Sequence, residues 1–185
     1  ILIDPTNAGR MWCGISAVGV FRSDDGGETW HPKNEGVPII IEDADHKDIG
    51  YCVHGLVQDP ANPDHIWRQD HKGTFRTRDG AETWERIENG LPSSFGFPIV
   101  RHEKTGAMYV VPLESDEYRL PLDGCLRIYK STDDGDSWEK AGALADHPMH
   151  VGVLRHAMAV DAEDPESLYV GTTGGTAVSY THLRA

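Results

Sequence analysis

Carboxylates, a tyrosine and arginines that could act on a polyhydroxylated molecule are concentrated in the second half of the chain. Two carboxyl groups, one protonated as an acid and one ionised as a base or nucleophile, can cleave a glycosidic bond, and guanidinium groups can hold the substrate. A solvated acidic loop is the competing interpretation. The candidate catalytic residues are Glu114, Asp116, Glu117 and Tyr118, and the candidate substrate-binding residues are Arg101, Arg119, Arg155 and His71.

Histidines form two further patterns that could bind a metal ion. D-x-D-H at 43–46 and H-x-x-H at 147–150 contain ligand pairs, and His54, His71 and His156 add single imidazoles. No helical periodicity in the sequence would present either pattern on one face. We therefore predict no metal site and no cofactor, and we interpret these histidines as residues of the surface or of a channel wall.

Three copies of one octapeptide indicate the framework that positions these residues. SDDGGETW at 23–30, TRDGAETW at 77–84 and STDDGDSW at 131–138 share the pattern S/T-x-D-x-G-x-T/S-W and start 54 residues apart. A second signal accompanies them, because an aspartate precedes an aromatic residue by eight positions in three units. These pairs are Asp4 and Trp12, Asp59 and Trp67, and Asp161 and Tyr169.

Each unit contains four predicted strands separated by polar turns. In the second unit the strands are expected at 55–58, 65–69, 73–77 and 83–87. Four antiparallel strands per repeat of roughly 50 residues predict an all-β fold, a β-propeller. We expect about three and a half four-stranded blades, a fragment of a larger propeller. A β-sandwich is the alternative, but it does not require the same turn in every unit.

The octapeptide is interpreted as structural because a turn that closes a hairpin is needed in every blade, whereas a catalytic site is needed once. The aspartate is expected to accept backbone N–H groups, the glycine to adopt positive φ, and the tryptophan to begin strand four and pack between sheets. Ala81 replaces the glycine in the second copy, which predicts a relaxed turn or a small strain. The structural residues are Ser23, Asp25, Gly27, Trp30, Thr77, Asp79, Trp84, Ser131, Asp133, Gly135 and Trp138.

The stretches GVFRSDDGGETW, GTFRTRDGAETW and IYKSTDDGDSW resemble the Asp boxes, or BNR repeats, of the sialidase-like propeller superfamily. The resemblance covers residues 1 to about 178 and implies carbohydrate binding or hydrolysis at the mouth of the central channel. In that superfamily the box is structural. Sialidases there use a tyrosine assisted by a glutamate, together with an arginine triad, and neither set aligns with this chain. Sortilin-type receptors and photosystem assembly factors share the box, so the alternative is a non-catalytic scaffold that binds a protein partner.

Strand direction separates the two ends of each blade. The turns between the first and second strands share one end with the octapeptides, whereas the loops between the second and third strands and the connections between blades share the other. We expect function at this second end, because sites are commonly carried by loops on a rigid framework. Its enlarged loops are 31–54, 110–124 and 139–156.

Composition excludes several kinds of partner. Thirty acidic and 17 basic residues give a formal charge of −13, which disfavours nucleic-acid and membrane surfaces. Carbohydrate, another small molecule or a protein remain as partners. The three cysteines show no CxxC spacing, which argues against a zinc ribbon. The sequence leaves the compartment open between a soluble cytoplasmic location, which we prefer, and secretion.

We expect residues 1–178 to form the partial propeller, with blades ending near 31, 86 and 140 and a fourth unit that is incomplete. In the fourth unit Thr181 and Leu183 occupy the positions of the octapeptide aspartate and glycine. The ending VSYTHLRA also looks like translated adapter sequence. We therefore expect 179–185 to be a non-native tail and the natural protein to continue with further blades.

Overall fold

The computed structural model describes residues 1–41, 46, 48–143, 147–164 and 167–181. Within these residues the regular structure consists of β-strands and one short 3₁₀ helix, Leu122–Gly124. The chain divides into two compact units, residues 1–86 and residues 87–185. No helix among the described residues has the length and apolar character that crossing a membrane requires.

The first unit contains two four-stranded antiparallel sheets in which each strand pairs with the next along the chain. The first sheet is β1 (Leu2–Ile3), β2 (Met11–Ile15), β3 (Gly19–Ser23) and β4 (His31–Pro32). The second sheet is β5 (Val53–Asp59), β6 (Asn62–Asp70), β7 (Gly73–Thr77) and β8 (Glu85–Arg86).

The second unit contains a four-stranded sheet and a three-stranded sheet with the same sequential antiparallel order. The four-stranded sheet is β9 (Gly96–Arg101), β10 (Met108–Pro112), β11 (Arg127–Ser131) and β12 (Glu139–Ala143). The three-stranded sheet is β13 (Met158–Val160), β14 (Ser167–Gly171) and β15 (Ala177–Thr181). Of the expected tail, 179–181 therefore belong to a strand, and 182–185 lie outside the described residues.

The register repeats from sheet to sheet. The hydroxyl residue that opens each octapeptide pairs with an apolar residue of the second strand, in the pairs Met11↔Ser23, Ile66↔Thr77 and Met108↔Ser131. This equivalence places the same turn at the same point of these three sheets. The long loop of the third sheet is thereby confined to the segment between β10 and β11.

The fourth strand of the second sheet is shorter than the predicted 83–87, and all three fourth strands begin after the tryptophan, at His31, Glu85 and Glu139. The reason is the hydrogen bonding of the tryptophan backbone. The N–H of Trp84 donates to the carbonyl of Glu35, and the N–H of Trp138 donates to the carbonyl of Asn89, so neither N–H joins the ladder of its own sheet.

Each unit has its own apolar core. In the first unit Trp12, Val20, Ile66 and Phe75 are fully buried and pack in one cluster with Trp84. In the second unit the cluster takes side chains from both sheets, including Tyr109, Ile128, Leu168 and Val170. Burial of one such side chain stabilises the folded state by about 1.5–3 kcal/mol. These cores hold the strand ends, and therefore the loops, in place.

Candidate functional site

Hydrogen bonds between loops define the two ends of the sheets. The N–H of Gly26 donates to the carbonyl of Gly9, and the N–H of Gly80 donates to the carbonyl of Asp64, so the first and second octapeptides each lie beside the connection between the first two strands of their sheet. At the other end the N–H of His71 donates to the carbonyl of Cys52 at 3.0 Å. In each unit we call this end of the sheets, opposite the octapeptides, the loop end.

The first octapeptide forms a closed hydrogen-bonded turn. Ser23 Oγ accepts the N–H of Gly27 at 2.8 Å and donates to Asp25 at 2.7 Å. The Asp25 carboxylate also accepts the N–H and the hydroxyl of Thr29. These bonds, with that of the Thr29 hydroxyl foremost, lower the pKa of Asp25. The carboxylate is therefore ionised and committed to the turn.

The other two copies repeat this pattern. Asp79 accepts bonds from Thr77 and Thr83, and Asp133 accepts bonds from Ser131 and Ser137. Partial burial opposes the ionised form of Asp79, but the threonine bonds outweigh it and its pKa is lowered. Bonds from Ser137 are the main reason for the lowered pKa of Asp133. Because the same contacts occur in all three copies, we interpret them as stabilising the turn and not as part of one catalytic site.

The glycine position of the octapeptide adopts positive φ in all three copies. The angle is 94° at Gly27, 75° at Ala81 and 92° at Gly135. Ala81 is the only one of the three with a side chain, and that side chain is fully buried. The second copy therefore carries a strained residue, since positive φ costs an L-residue about 1–2 kcal/mol.

The tryptophans of the second and third copies bond to a segment that the sequence analysis missed. Gly36 and Gly90, at φ of 89° and 94°, lie so close to the carbonyls of Trp84 and Trp138 that a Cβ on either would overlap them. The sequence signal is NEGVP at 34–38 and ENGLP at 88–92, which are 54 residues apart. A glycine is required at both positions because the backbones approach closely.

The four candidate catalytic residues lie in the loop between β10 and β11, at the loop end. The N–H of Glu114 donates to the carbonyl of Leu120 at 2.9 Å, which closes the loop on itself. Asp116, Glu117 and Tyr118 lie at its tip and are exposed. Tyr118 is 56% exposed. This part of the loop is therefore solvated, which is also what the alternative interpretation as an acidic surface loop expects.

Glu114 differs from its neighbours because it lines a cavity of about 410 Å³. Two titratable residues that were not candidates for catalysis share this cavity, Asp123 and His150. The N–H of Met149 donates to the carbonyl of Gly124 at 2.6 Å and holds the two loop segments together. Asp116, Glu117 and Tyr118 are not among the described residues that line this cavity. The cavity therefore groups a different set of acid–base residues from the predicted one.

The candidate arginines are partly brought together. The guanidinium carbons of Arg119 and Arg155 lie over the ring of Phe97, at 5.6 Å and 5.2 Å from its centroid. Arg101 ends β9 and pairs with Met108, so it lies at the octapeptide end of the same sheet. The structure separates Arg101 from the other two arginines by the length of the strand. His71 belongs to the first unit.

A cluster of potential metal ligands lies at the loop end of the first unit. Cys52, His54 and His71 each offer one ligand atom, and these atoms lie within 4.8 Å of one another. Among the described residues, no other group of three or more His, Cys, Asp or Glu side chains has ligand atoms this close together. His147 and His150 are exposed, His46 is in a loop, and Asp43 and Asp45 lie outside the described residues. Cys52 was missed, although C-x-H places two side chains on one face of an extended chain.

Comparison with known proteins identifies the fold. No protein-family model matches the chain, and no curated protein matches it. Among solved structures, an ancestral GH74 enzyme is similar over 98% of this chain, with a TM-score of 0.69 and 16% identity. The GH74 enzyme of Niastella koreensis is similar over 91% of it, with a TM-score of 0.65 and 21% identity. An auxiliary nutrient-binding protein from Bacteroides thetaiotaomicron covers 92%, with a TM-score of 0.54 and 9% identity.

The fold is a β-propeller. The prediction of about three and a half four-stranded blades of a larger propeller is confirmed by the sheet order and by these likenesses. The chain spans 22% and 24% of the length of the two GH74 enzymes and 34% of that of the nutrient-binding protein. At these identities the likeness concerns the fold, and the chemistry has to be argued from the residues.

Proposed function

We propose that this chain is part of a glycosyl-hydrolase-like propeller of the sialidase-like superfamily, and that it binds or hydrolyses carbohydrate at the loop end, at the mouth of the central channel. The octapeptides are then Asp boxes, or BNR repeats. Their hydrogen bonds agree with a purely structural role, which leaves the chemistry to the loops. Two neighbours with the fold are GH74 enzymes and a third is a nutrient-binding protein, so carbohydrate is the substrate class with most support.

The observation that carries the proposal is the cavity shared by Glu114, Asp123 and His150. Its volume of about 410 Å³ lies within the range of about 300–1,000 Å³ typical of small-molecule sites. Two carboxyl groups and an imidazole provide the acid and base that glycosidic cleavage needs. The carboxylate of Asp123 also lies 3.5 Å from the guanidinium of Arg127, in an ion pair within the same loop.

Arg119 and Arg155 provide cationic groups at the loop end of the same sheet. The ring of Phe97 supports both guanidinium groups, so their planes are partly fixed before a ligand arrives. A preorganised guanidinium binds a carboxylate or a pair of hydroxyl groups with less loss of entropy than a mobile one. An acidic or polyhydroxylated sugar fits this combination of residues.

The test is a screen with a glycan array and chromogenic glycosides, followed by variants of the cavity. Glu114→Gln and Asp123→Asn should each abolish turnover or reduce glycan binding at least about tenfold, the loss expected when one charge-assisted contact is removed. Glu103→Gln is the matched control, since Glu103 is an exposed carboxylate in the turn at the octapeptide end. Turnover or binding that is the same in the cavity variants and the control contradicts the proposal.

A non-catalytic scaffold that binds a protein partner is the second candidate. It is favoured by exposed apolar side chains beside the two arginines, with Tyr118 56%, Leu120 37% and Leu154 50% exposed. Apolar and aromatic groups flanked by arginines are typical of protein interfaces. Tyr118→Ser combined with Leu154→Ser should then abolish capture of the partner while glycan binding, where present, is retained.

A further inference from the structure

We propose that Cys52, His54 and His71 form a binding site for one thiophilic divalent cation of the Zn²⁺ class, at the loop end of the first unit. The Cys52 Sγ and His54 Nε2 atoms are 3.6 Å apart, and the rings of His54 and His71 are 5.7 Å apart between centroids. All three ligand atoms lie within 4.8 Å of one another. The site is independent of the proposed carbohydrate function.

The separation of the two nearest ligands agrees with tetrahedral coordination. Zn–S and Zn–N bonds of about 2.3 Å and 2.0–2.1 Å, at a tetrahedral angle, place the sulfur and nitrogen atoms about 3.6 Å apart. This is the distance found between Cys52 Sγ and His54 Nε2. His71 lies in a short turn, and its ligand atom is within 4.8 Å of the other two.

The framework around the cluster holds the ligands in this arrangement. The backbone N–H of His71 donates to the carbonyl of Cys52 at 3.0 Å, so the two segments that carry the ligands are joined directly. The carboxylate of Asp70, next to His71, accepts the N–H of Lys72 at 3.0 Å and forms a fully buried ion pair with Arg68. A turn fixed on both sides is a suitable support for a metal ligand.

The chemistry of the donor set selects the class of ion. A thiolate and two imidazoles bind borderline-soft ions such as Zn²⁺ and Co²⁺ and are poor ligands for Ca²⁺ and Mg²⁺, which require oxygen. None of the three cysteines is in a disulfide, so the Cys52 sulfur is in the reduced form that coordination needs.

Three protein ligands leave the fourth coordination position of a tetrahedral zinc ion open. The hydroxyl of Ser16, in the turn between β2 and β3, lies 3.1 Å from Cys52 Sγ. His54 is buried, whereas Cys52 and His71 are partly exposed, so an ion can enter from solvent. A site with three protein ligands and a fourth position for water or an added ligand is typical of zinc that takes part in binding or catalysis.

The experiment is a titration of the reduced full chain with Co²⁺, monitored by absorption spectroscopy. One equivalent should produce a thiolate-to-cobalt charge-transfer band and the visible bands of four-coordinate cobalt, and Zn²⁺ should remove both. The charge-transfer band should be lost in Cys52→Ser and weakened in His71→Gln. Cys13→Ser and Cys125→Ser are the matched controls and should retain it.

Circular dichroism and thermal unfolding of every variant separate loss of the ligand from loss of the fold. Zn²⁺ should raise the unfolding temperature of the wild type and of both controls, since a ligand that binds the folded state stabilises it, but not that of Cys52→Ser. His71→Gln changes a partly exposed turn residue and gives a second, folded test. The proposal is overturned when the folded wild type shows no charge-transfer band, or when the band persists in Cys52→Ser.

Discussion

The indole Nε1 of Trp138 donates a hydrogen bond of 2.8 Å to the backbone carbonyl of Ile87, 51 residues earlier in the chain. Trp84 makes the equivalent bond of 2.9 Å to Lys33, across the same interval of 51 residues. In both cases the acceptor lies three residues before a glycine of positive φ. The octapeptide therefore does more than close a hairpin, because its tryptophan attaches the sheet to the segment that precedes it.

Replacing Trp138 by phenylalanine should show what this bond contributes. Trp138→Phe keeps an aromatic ring but leaves the carbonyl of Ile87 buried without its donor, which costs about 1–3 kcal/mol of unfolding free energy. Trp30→Phe is the control, since the indole of Trp30 bonds to Gly27 within its own loop. Its loss should be smaller. Urea unfolding followed by circular dichroism measures both, and equal losses would contradict a bond between segments as the cause.

Gly90→Ala tests the close approach of the two backbones. The new Cβ would overlap the carbonyl oxygen of Trp138, and φ is 94°, so the variant should lose more than the strain of about 1–3 kcal/mol alone. Gly26→Ala is a matched control, because φ is 79° and no atom lies within 4 Å of the added Cβ. Thermal unfolding should show the larger loss for Gly90→Ala. A loss no greater than that of Gly26→Ala would mean that the backbones separate easily.

The local features of the fold could be predicted from the sequence. The octapeptide turn depends on residues at most four positions apart, such as Ser23 with Gly27 and Asp25 with Thr29, so its composition specifies it. The positive φ of Ala81 also followed from its position in the repeat. The start of the fourth strand did not, because the N–H of Trp84 has its partner at Glu35, far away in the chain.

The candidate sites could be predicted only in part, for the same physical reason. Enlarged loops and their end of the blade follow from strand order. Which side chains meet there depends on register and loop packing, as in the pairing of Val53 with Asp70 that brings Cys52 next to His71. Asp123 and His150 likewise share a cavity because two distant loop segments are bonded together.

Asp4 should make stability sensitive to acid. Burial opposes its ionised form, but hydrogen bonds from Thr6 and Arg10 outweigh this and lower its pKa from 3.8 to about 2. Because the folded-state pKa is below the unfolded one, the contribution of Asp4 is fully present above about pH 4 and is lost as the pH falls towards 2. Urea midpoints measured across this interval should fall for the wild type.

Two variants assign that acid sensitivity to Asp4. Thr6→Val removes a hydroxyl donor at 2.7 Å and brings the folded-state pKa of Asp4 closer to the unfolded value, so the loss of stability in acid should be smaller and should be complete at a higher pH. Asp4→Asn should be less stable at neutral pH and should show a shallower decline below about pH 4, since the group that titrates is gone. A decline in Asp4→Asn as steep as in the wild type would assign the effect to other carboxylates.

The arginines at the two ends of the third sheet should differ in their effect on an acidic glycan. Arg119 and Arg155 share the ring of Phe97 at the loop end, whereas Arg101 lies at the octapeptide end. Arg155→Gln and Arg119→Gln should each weaken binding about tenfold or more, because each removes a charge-assisted hydrogen bond of about 1.5–3 kcal/mol. Arg101→Gln should leave the Kd unchanged in isothermal titration calorimetry. Weaker binding in Arg101→Gln, with the other two unaffected, would place the ligand at the octapeptide end and exclude the loop end as the site.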